Sequence, residues 1–202
     1  HLLGIAVFTA PLQWLTYNPV LVYNVAFLGS YVLAGTGMYL LARSLWGRRD
    51  AALIAALAFA FAPHRVTQAS HLQVLMSGWM PISLWGLHSY FTTGSRRALA
   101  VGTATFIVLG MSNGYFLYFF ALPVFVLVAA ELARRAVYGS DGEAVPLARA
   151  VPDLAIAAFA VAAAFAPIAT AYLSARDALG LQRSLRELRD FGVKIYLDDF
   201  GT

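Results

Sequence analysis

The sequence predicts an all-α protein: a polytopic transmembrane helix bundle of about six spans, followed by a short charged tail. Three observations predict it. Of the 202 residues, 60% are hydrophobic and only 12% are charged, with a mean hydropathy of +0.70, whereas a soluble domain is about a quarter charged. The charges are also unevenly placed. None falls in residues 2–42, 98–130 or 154–175, and Arg65 is the only Arg or acidic residue in 51–95. A charge at the bilayer centre costs roughly 2.5–3.5 kcal/mol on insertion scales, so long ion-free runs are what a membrane span needs. Finally, the arginines gather in pairs or triples at the ends of apolar runs: Arg43, Arg48 and Arg49, then Arg96 and Arg97, then Arg134 and Arg135. Such clusters mark the cytoplasmic side.

The elements follow in order. Residues 2–15 are apolar but short and contain Pro11, so they form a partial span or an interfacial helix, with Trp14, Tyr17 and Tyr23 suited to the lipid–water boundary. Asn18-Pro19 is a turn signal. Residues 19–41 make a span whose Gly29, Ser30, Gly35 and Gly37 offer a small-residue face for close helix packing. Residues 50–62 make a shorter span that Pro63 stops. The stretch 63–73 (PHRVTQASHLQ) is the most polar of the first half and belongs on the extracytoplasmic side. Residues 74–91 return, 98–111 go out, Ser112-Asn113-Gly114 is a tight break, and 115–132 come back. Residues 136–151 form a polar cytoplasmic loop, and 153–174 are the last span. Residues 1–175 are thus the membrane region. Residues 176–202 are a tail: an amphipathic helix, then a short strand ending in Asp198 and Asp199.

Composition excludes several function classes. With no Cys there is no disulfide framework, thiolate metal site or thiol nucleophile. The net charge of +4 does not indicate a nucleic-acid partner, because the arginines are accounted for at span ends. No cofactor is evident. His1 rather than Met opens the chain, without a basic leader, and Thr202 falls inside a recognisable motif, so the chain reads as a piece of a longer protein.

Four clusters could carry chemistry. If Pro63 opens a helix, His64, Gln68 and His71 share one face at i, i+4 and i+7, with Arg65 beside them. A guanidinium at the membrane boundary suits a lipid phosphate, since its fork donates two hydrogen bonds at once. The imidazoles suit a phosphate or a sugar hydroxyl. The plainer reading is a polar loop with interfacial anchors. Two His without a nearby carboxylate or thiol are a thin metal-ligand set. Asn113, with Tyr115 and Tyr118, could complete a polar pocket on the same side, although Asn-Gly equally suits a bare hairpin turn. His88 lies near the cytoplasmic end of its span and reads as a neutral, hydrogen-bonded interfacial histidine. Asp198 and Asp199 are adjacent carboxylates at a strand end, a divalent-cation signal when further carboxylates converge.

Two resemblances add to this reading. Residues 37–43 (GMYLLAR), Trp46-Gly47, 58–65 (AFAFAPHR), 71–73 (HLQ) and 79–81 (WMP) resemble the polytopic bacterial membrane proteins similar to GT-C glycosyltransferases, over roughly residues 2–188 including Arg183 and Glu187. That resemblance implies an inner-membrane transferase taking a sugar from a polyprenyl-phosphate donor on the extracytoplasmic face, with lipid as its other partner. It also implies a catalytic carboxylate in the first extracytoplasmic loop, whereas this chain has no Asp or Glu before Asp50. No catalytic residue is therefore assigned, and the chain alone is expected to be inactive. The tail, residues 185–202 (LRELRDFGVKIYLDDFGT), is similar to the EAL domain of cyclic-di-GMP phosphodiesterases through its DDFGT element. That likeness implies metal ligation by Asp198 and Asp199 at a barrel strand's end, in a parent protein that completes the barrel. A membrane-anchored phosphodiesterase fragment and a non-enzymatic transporter or flippase component are the alternative functions.

Overall fold

The computed structural model describes residues 3–139 and 142–177. Among the described residues every regular element is helical: α1 Leu3–Leu15, α2 Pro19–Trp46, α3 Arg49–Ala60, α4 Pro63–Thr67, α5 Leu72–Leu75, a 3-10 turn Met76–Gly78, α6 Trp79–Thr93, α7 Arg96–Ser112, α8 Gly114–Tyr138 and α9 Leu147–Asp177. The all-α expectation holds. The charged tail beyond residue 177, with its DDFGT element, lies outside the described residues. The chain divides into two compact units, His1–Val161 and Ala162–Thr202. The sites below, and every described helix except the C-terminal half of α9, belong to the first. Of the second, the described part is the C-terminal half of α9.

Local chemistry sets the helix ends. Asn18 caps α2 by accepting from the backbone N–H of Val20 and of Leu21, both at 3.1 Å, and Pro19 takes the first helical position. Gly47, at φ 68°, turns left-handed and donates its N–H to Arg43 O, closing the helix. Gly94, at φ 72°, ends α6 in the same way, and Ser95 then caps α7. α3 stops at Ala60 because Pro63 lies ahead: the residue before a proline avoids helical backbone, and Ala62 sits at φ −54°, ψ 138°.

Among the described residues three helices are long and apolar enough to cross a membrane: Pro19–Trp46, Gly114–Tyr138 and Leu147–Ala171. At 1.5 Å per residue, α2 reaches about 42 Å against a hydrocarbon core of about 30 Å. The apolar windows of the three have only 28%, 6% and 0% of their residues buried. Tyr118, Phe119, Leu122 and Phe125 of α8 and Ile156 and Phe159 of α9 each present well over half of their surface. Water would not tolerate an apolar surface this continuous, and lipid would. The protein is a membrane protein.

The other expected spans differ in form. α3 is only 12 residues long, about 18 Å. The expected loop 63–73 contains the short helices α4 and α5, and the expected span 74–91 is interrupted at Met76–Gly78. These broken pieces lie along α2. Phe61 stacks on Tyr31 with ring centroids 5.6 Å apart, and the Tyr23 hydroxyl donates to Ala69 O at 3.0 Å. The chain then runs back. Gly78 meets the Ala34 backbone, and Gly37 meets Gly78 O, Pro81 and Ile82. Of the expected small-residue face, Gly37 is in tight contact and Gly35 faces Ala60, while Gly29 faces open space. α6 and α7 cross at Gly86 and Gly102, where a Cβ on Gly86 would lie 2.6 Å from Gly102 Cα and from Ala98 O. Gly4 sets α1 against Ser112 and Val108 O of α7. Close backbone approach at small residues is how membrane helices gain contact without a hydrophobic driving force between them.

Candidate functional site

Arg65 is the centre of the broken segment. The gap between α3 and α4 removes the i+4 donor from Ala60 O, and Arg65 Nε replaces it at 3.1 Å. Nη2 donates to Ser30 O at 3.1 Å, and Nη1 donates to Ser77 Oγ. The guanidinium also lies 5.4 Å from the Tyr31 ring centroid and 6.0 Å from that of Phe59. Arg65 is 0% exposed, and among the described residues no carboxylate pairs with it. The sequence places Arg65 at the membrane surface as a phosphate clamp, but the structure turns it inward to hold α2, α3 and the 3-10 turn together. The reason is geometric: α4 is a single turn that buries Arg65 against α2 and leaves His64 exposed.

The shared helical face expected for His64, Gln68 and His71 does not form, because α4 ends at Thr67. Gln68 is the C-cap of α4, and His71 precedes α5 with its Nδ1 3.1 Å from Ser70 Oγ. His64 and His71 are exposed and Gln68 is half-buried. They lie around one loop, but not in helical register. Beside this loop is a cleft of about 470 Å³ between α1, α2 and the start of α5. Val22, Ala26, Ile5 and Leu72 give it apolar walls, and Thr9, Gln13, Thr16, Tyr17 and Tyr23 add polar groups. Sequence reasoning takes Tyr17 and Tyr23 only as interfacial anchors and does not single out Gln13 or Thr16. The available signal is a cluster of polar side chains around the Asn18-Pro19 turn.

Asn113 is buried, and its Oδ1 accepts from Tyr115 N at 3.0 Å, capping α8. Among the described residues no hydrogen bond joins it to the α4–α5 loop, and its observed work is that of a helix-hairpin turn. Asp198 and Asp199 lie outside the described residues. Among the described residues no three His, Asp or Glu converge to hold a metal ion.

The opposite end of the bundle carries two ionic clusters. In one, Asp153 is buried at the start of α9. It accepts from the Tyr90 hydroxyl at 2.9 Å, from Arg96 Nε at 3.0 Å and from Arg96 Nη2 at 2.9 Å, and Arg149 Nε lies 3.5 Å away. Arg149 also donates to Gly94 O at 2.6 Å. In the other, Arg135 is buried over the Phe91 ring, 4.6 Å from its centroid, and donates to Val145 O at 3.0 Å and to the Glu131 carboxylate. Glu143 pairs with Arg134 at 2.7 Å and with Arg135 at 3.4 Å. The Arg134 guanidinium holds the Glu143 carboxyl below the usual carboxylate range. The stability this pair contributes is present above the unfolded glutamate value, about 4.3, and is lost as pH falls through the lower folded value. These contacts tie the ends of α6, α7, α8 and α9 around Leu87, Tyr90, Phe91, Leu99, Val145 and Ala150. His88 is half-buried on the wall of a cleft of about 490 Å³ beside Glu131, Arg134, Arg135 and Glu143. The sequence hints at the clusters only through Glu131/Arg135 and Arg149/Asp153, both at i,i+4 spacing.

Comparison with protein-family models, with curated proteins and with solved structures finds no match.

Proposed function

We propose that this chain is the membrane-embedded part of a glycosyltransferase-like protein of a bacterial inner membrane, and that it holds a polyprenyl-phosphate sugar donor at the α1–α2/α4–α5 end. The observation that carries the reading is the cleft between α1, α2 and Leu72, which combines apolar walls with the polar side chains of Gln13, Thr16, Tyr17 and Tyr23, next to the exposed His71 that precedes Leu72. That combination suits a ligand with a prenyl tail and a phosphate–sugar head. The apolar walls take the first isoprene units, and His64, Gln68 and His71 donate to phosphate or sugar oxygens. Arg65 serves this site indirectly, as a positioning residue that fixes where the α4–α5 loop leaves the bundle.

The topology agrees with such a site. Arg43, Arg48, Arg49, Arg96, Arg97, Arg134, Arg135 and Arg149 all lie in or beside the turns at the other end, which the positive-inside rule puts in the cytoplasm. The donor end then faces outward. No residue of the cleft is assigned as a general base, since none of those lining it is Asp or Glu. The role assigned to this chain is donor binding.

The experiment is donor binding by the chain reconstituted in nanodiscs. His64→Ala with His71→Ala removes two exposed side chains and is expected to leave the fold intact. Affinity for a polyprenyl phosphate should fall about tenfold, the equivalent of about 1.4 kcal/mol. Unchanged affinity with intact helicity would sink the reading.

A further inference from the structure

We propose that the groove between α7 and α9 is a second lipid site, one that holds an acyl chain of an anionic phospholipid with its phosphate on Arg96. The groove has a volume of about 460 Å³ and is headed by Arg96 and Asp153. Small side chains open it: Ala100 and Ala104 on α7, and Ala157 and Ala160 on α9. It descends from the arginine-rich end for two helical turns along α7, from Leu99 to Ile107, which is about 12 Å. It suits the upper part of one lipid tail.

Charge complementarity selects the headgroup. Asp153 is a single carboxylate bound by two guanidiniums, those of Arg96 and Arg149, so the cluster keeps a net positive charge. Arg96 spends Nε and Nη2 on Asp153, while Nη1 takes part in neither bond. Its side chain is 67% exposed although Asp153 beneath it is only 5% exposed. The carboxylate thus fixes the guanidinium in place, and a face of it remains to donate to a phosphate oxygen. The exposed Arg97 adds a second positive charge at the same turn. Basic sites between membrane helices at the cytoplasmic side are where anionic headgroups bind. This site lies at the opposite end from the proposed donor cleft and does not depend on it.

Native mass spectrometry of the detergent-purified chain tests the proposal, with phosphatidylglycerol and phosphatidylcholine added separately. Retention of phosphatidylglycerol should exceed that of phosphatidylcholine about tenfold, and Arg96→Gln should abolish that preference. Because Arg96 also holds Asp153, a second variant is needed. Ala104→Phe, at an exposed position on α7, fills the groove without touching the ionic cluster and should remove the bound anionic lipid while the helicity stays wild-type. Equal retention of both lipids would overturn the proposal, as would full retention of phosphatidylglycerol by Ala104→Phe. A dimer of the chain that Ala104→Phe dissociates would overturn it too, by assigning the groove to a protein partner.

Discussion

Replacing Gly86 is expected to push α6 away from α7 and to destabilise the bundle in proportion to the size of the new side chain. A methyl group there would meet Ala98 O, Gly102 Cα and Gly102 N, each at 2.6 Å. All three are backbone atoms, so no side-chain rotation relieves the clash and the helices must move apart. Among the described residues this is the most extensive helix–helix contact, and Ser83 Oγ donates across it to Gly102 O at 3.0 Å. Gly86→Ala should cost about 1–3 kcal/mol, the usual range for overpacking, and Gly86→Leu should yield no folded protein. Gly102→Ala should behave like Gly86→Ala, because its added Cβ would lie 2.9 Å from Ser83 O. Gly29→Ala is the control. Nothing lies within 4 Å of its added Cβ, and alanine gains up to about 1 kcal/mol of helix propensity. Thermal or denaturant unfolding in detergent should therefore rank the variants Gly29→Ala at or above wild type, then Gly86→Ala, then Gly86→Leu. Equal behaviour of Gly29→Ala and Gly86→Ala would contradict the close crossing.

Arg65→Ala should be about as damaging by a different route. It empties a fully buried site and leaves Ala60 O without the donor that replaces its missing helical partner. An emptied core site costs about 2–5 kcal/mol, and a buried acceptor left unbonded costs about 1–3 kcal/mol. The loss of the buried cation's desolvation cost offsets part of this, so a net destabilisation of about 3–5 kcal/mol is expected. Two further variants separate the contributions. Arg65→Met refills the volume without restoring the hydrogen bonds. Arg65→Lys keeps the charge, but a compact ammonium cannot match the planar fork that reaches Ala60 O, Ser30 O and Ser77. Both should fall between wild type and Arg65→Ala. If Arg65→Ala instead unfolds at the wild-type midpoint and only donor binding suffers, Arg65 contacts the ligand and its positioning role is wrong.

Much of this architecture is legible in the sequence, because helix ends are written in local chemistry. Asn18-Pro19 and Asn113-Gly114 each stop or start a helix where the sequence predicts, while the span expected to end at residue 41 runs on to Trp46. The ion-free runs identify α2, α8 and α9 as long enough to cross a membrane, since that property is additive along the chain. The orientation of Arg65 is not legible. The spacing of His64, Gln68 and His71 defines a face only on an unbroken helix, and Pro63–Thr67 is a single turn. The Tyr90–Asp153 bond is not legible either, for a different reason. It joins residues 63 positions apart, and no local pattern encodes which buried hydroxyl will meet which carboxylate. Asn113 carries both a capping signal and a polar-pocket signal. Only its bond to Tyr115 N shows which of them the fold uses.

The absence of native cysteine makes the central claim directly testable, because any introduced thiol is unique. That claim is that the exposed apolar faces of α8 and α9 are covered by lipid. The measurement is labelling of Phe125→Cys and Phe159→Cys, two exposed apolar positions, in intact membranes with a membrane-impermeant maleimide. Both should stay unlabelled until detergent or denaturant is added, while His71→Cys, at an exposed loop position, should label at once from the side of the membrane on which the proposed donor site lies. Rapid labelling of Phe125→Cys and Phe159→Cys without detergent would place those helices in water and contradict the account.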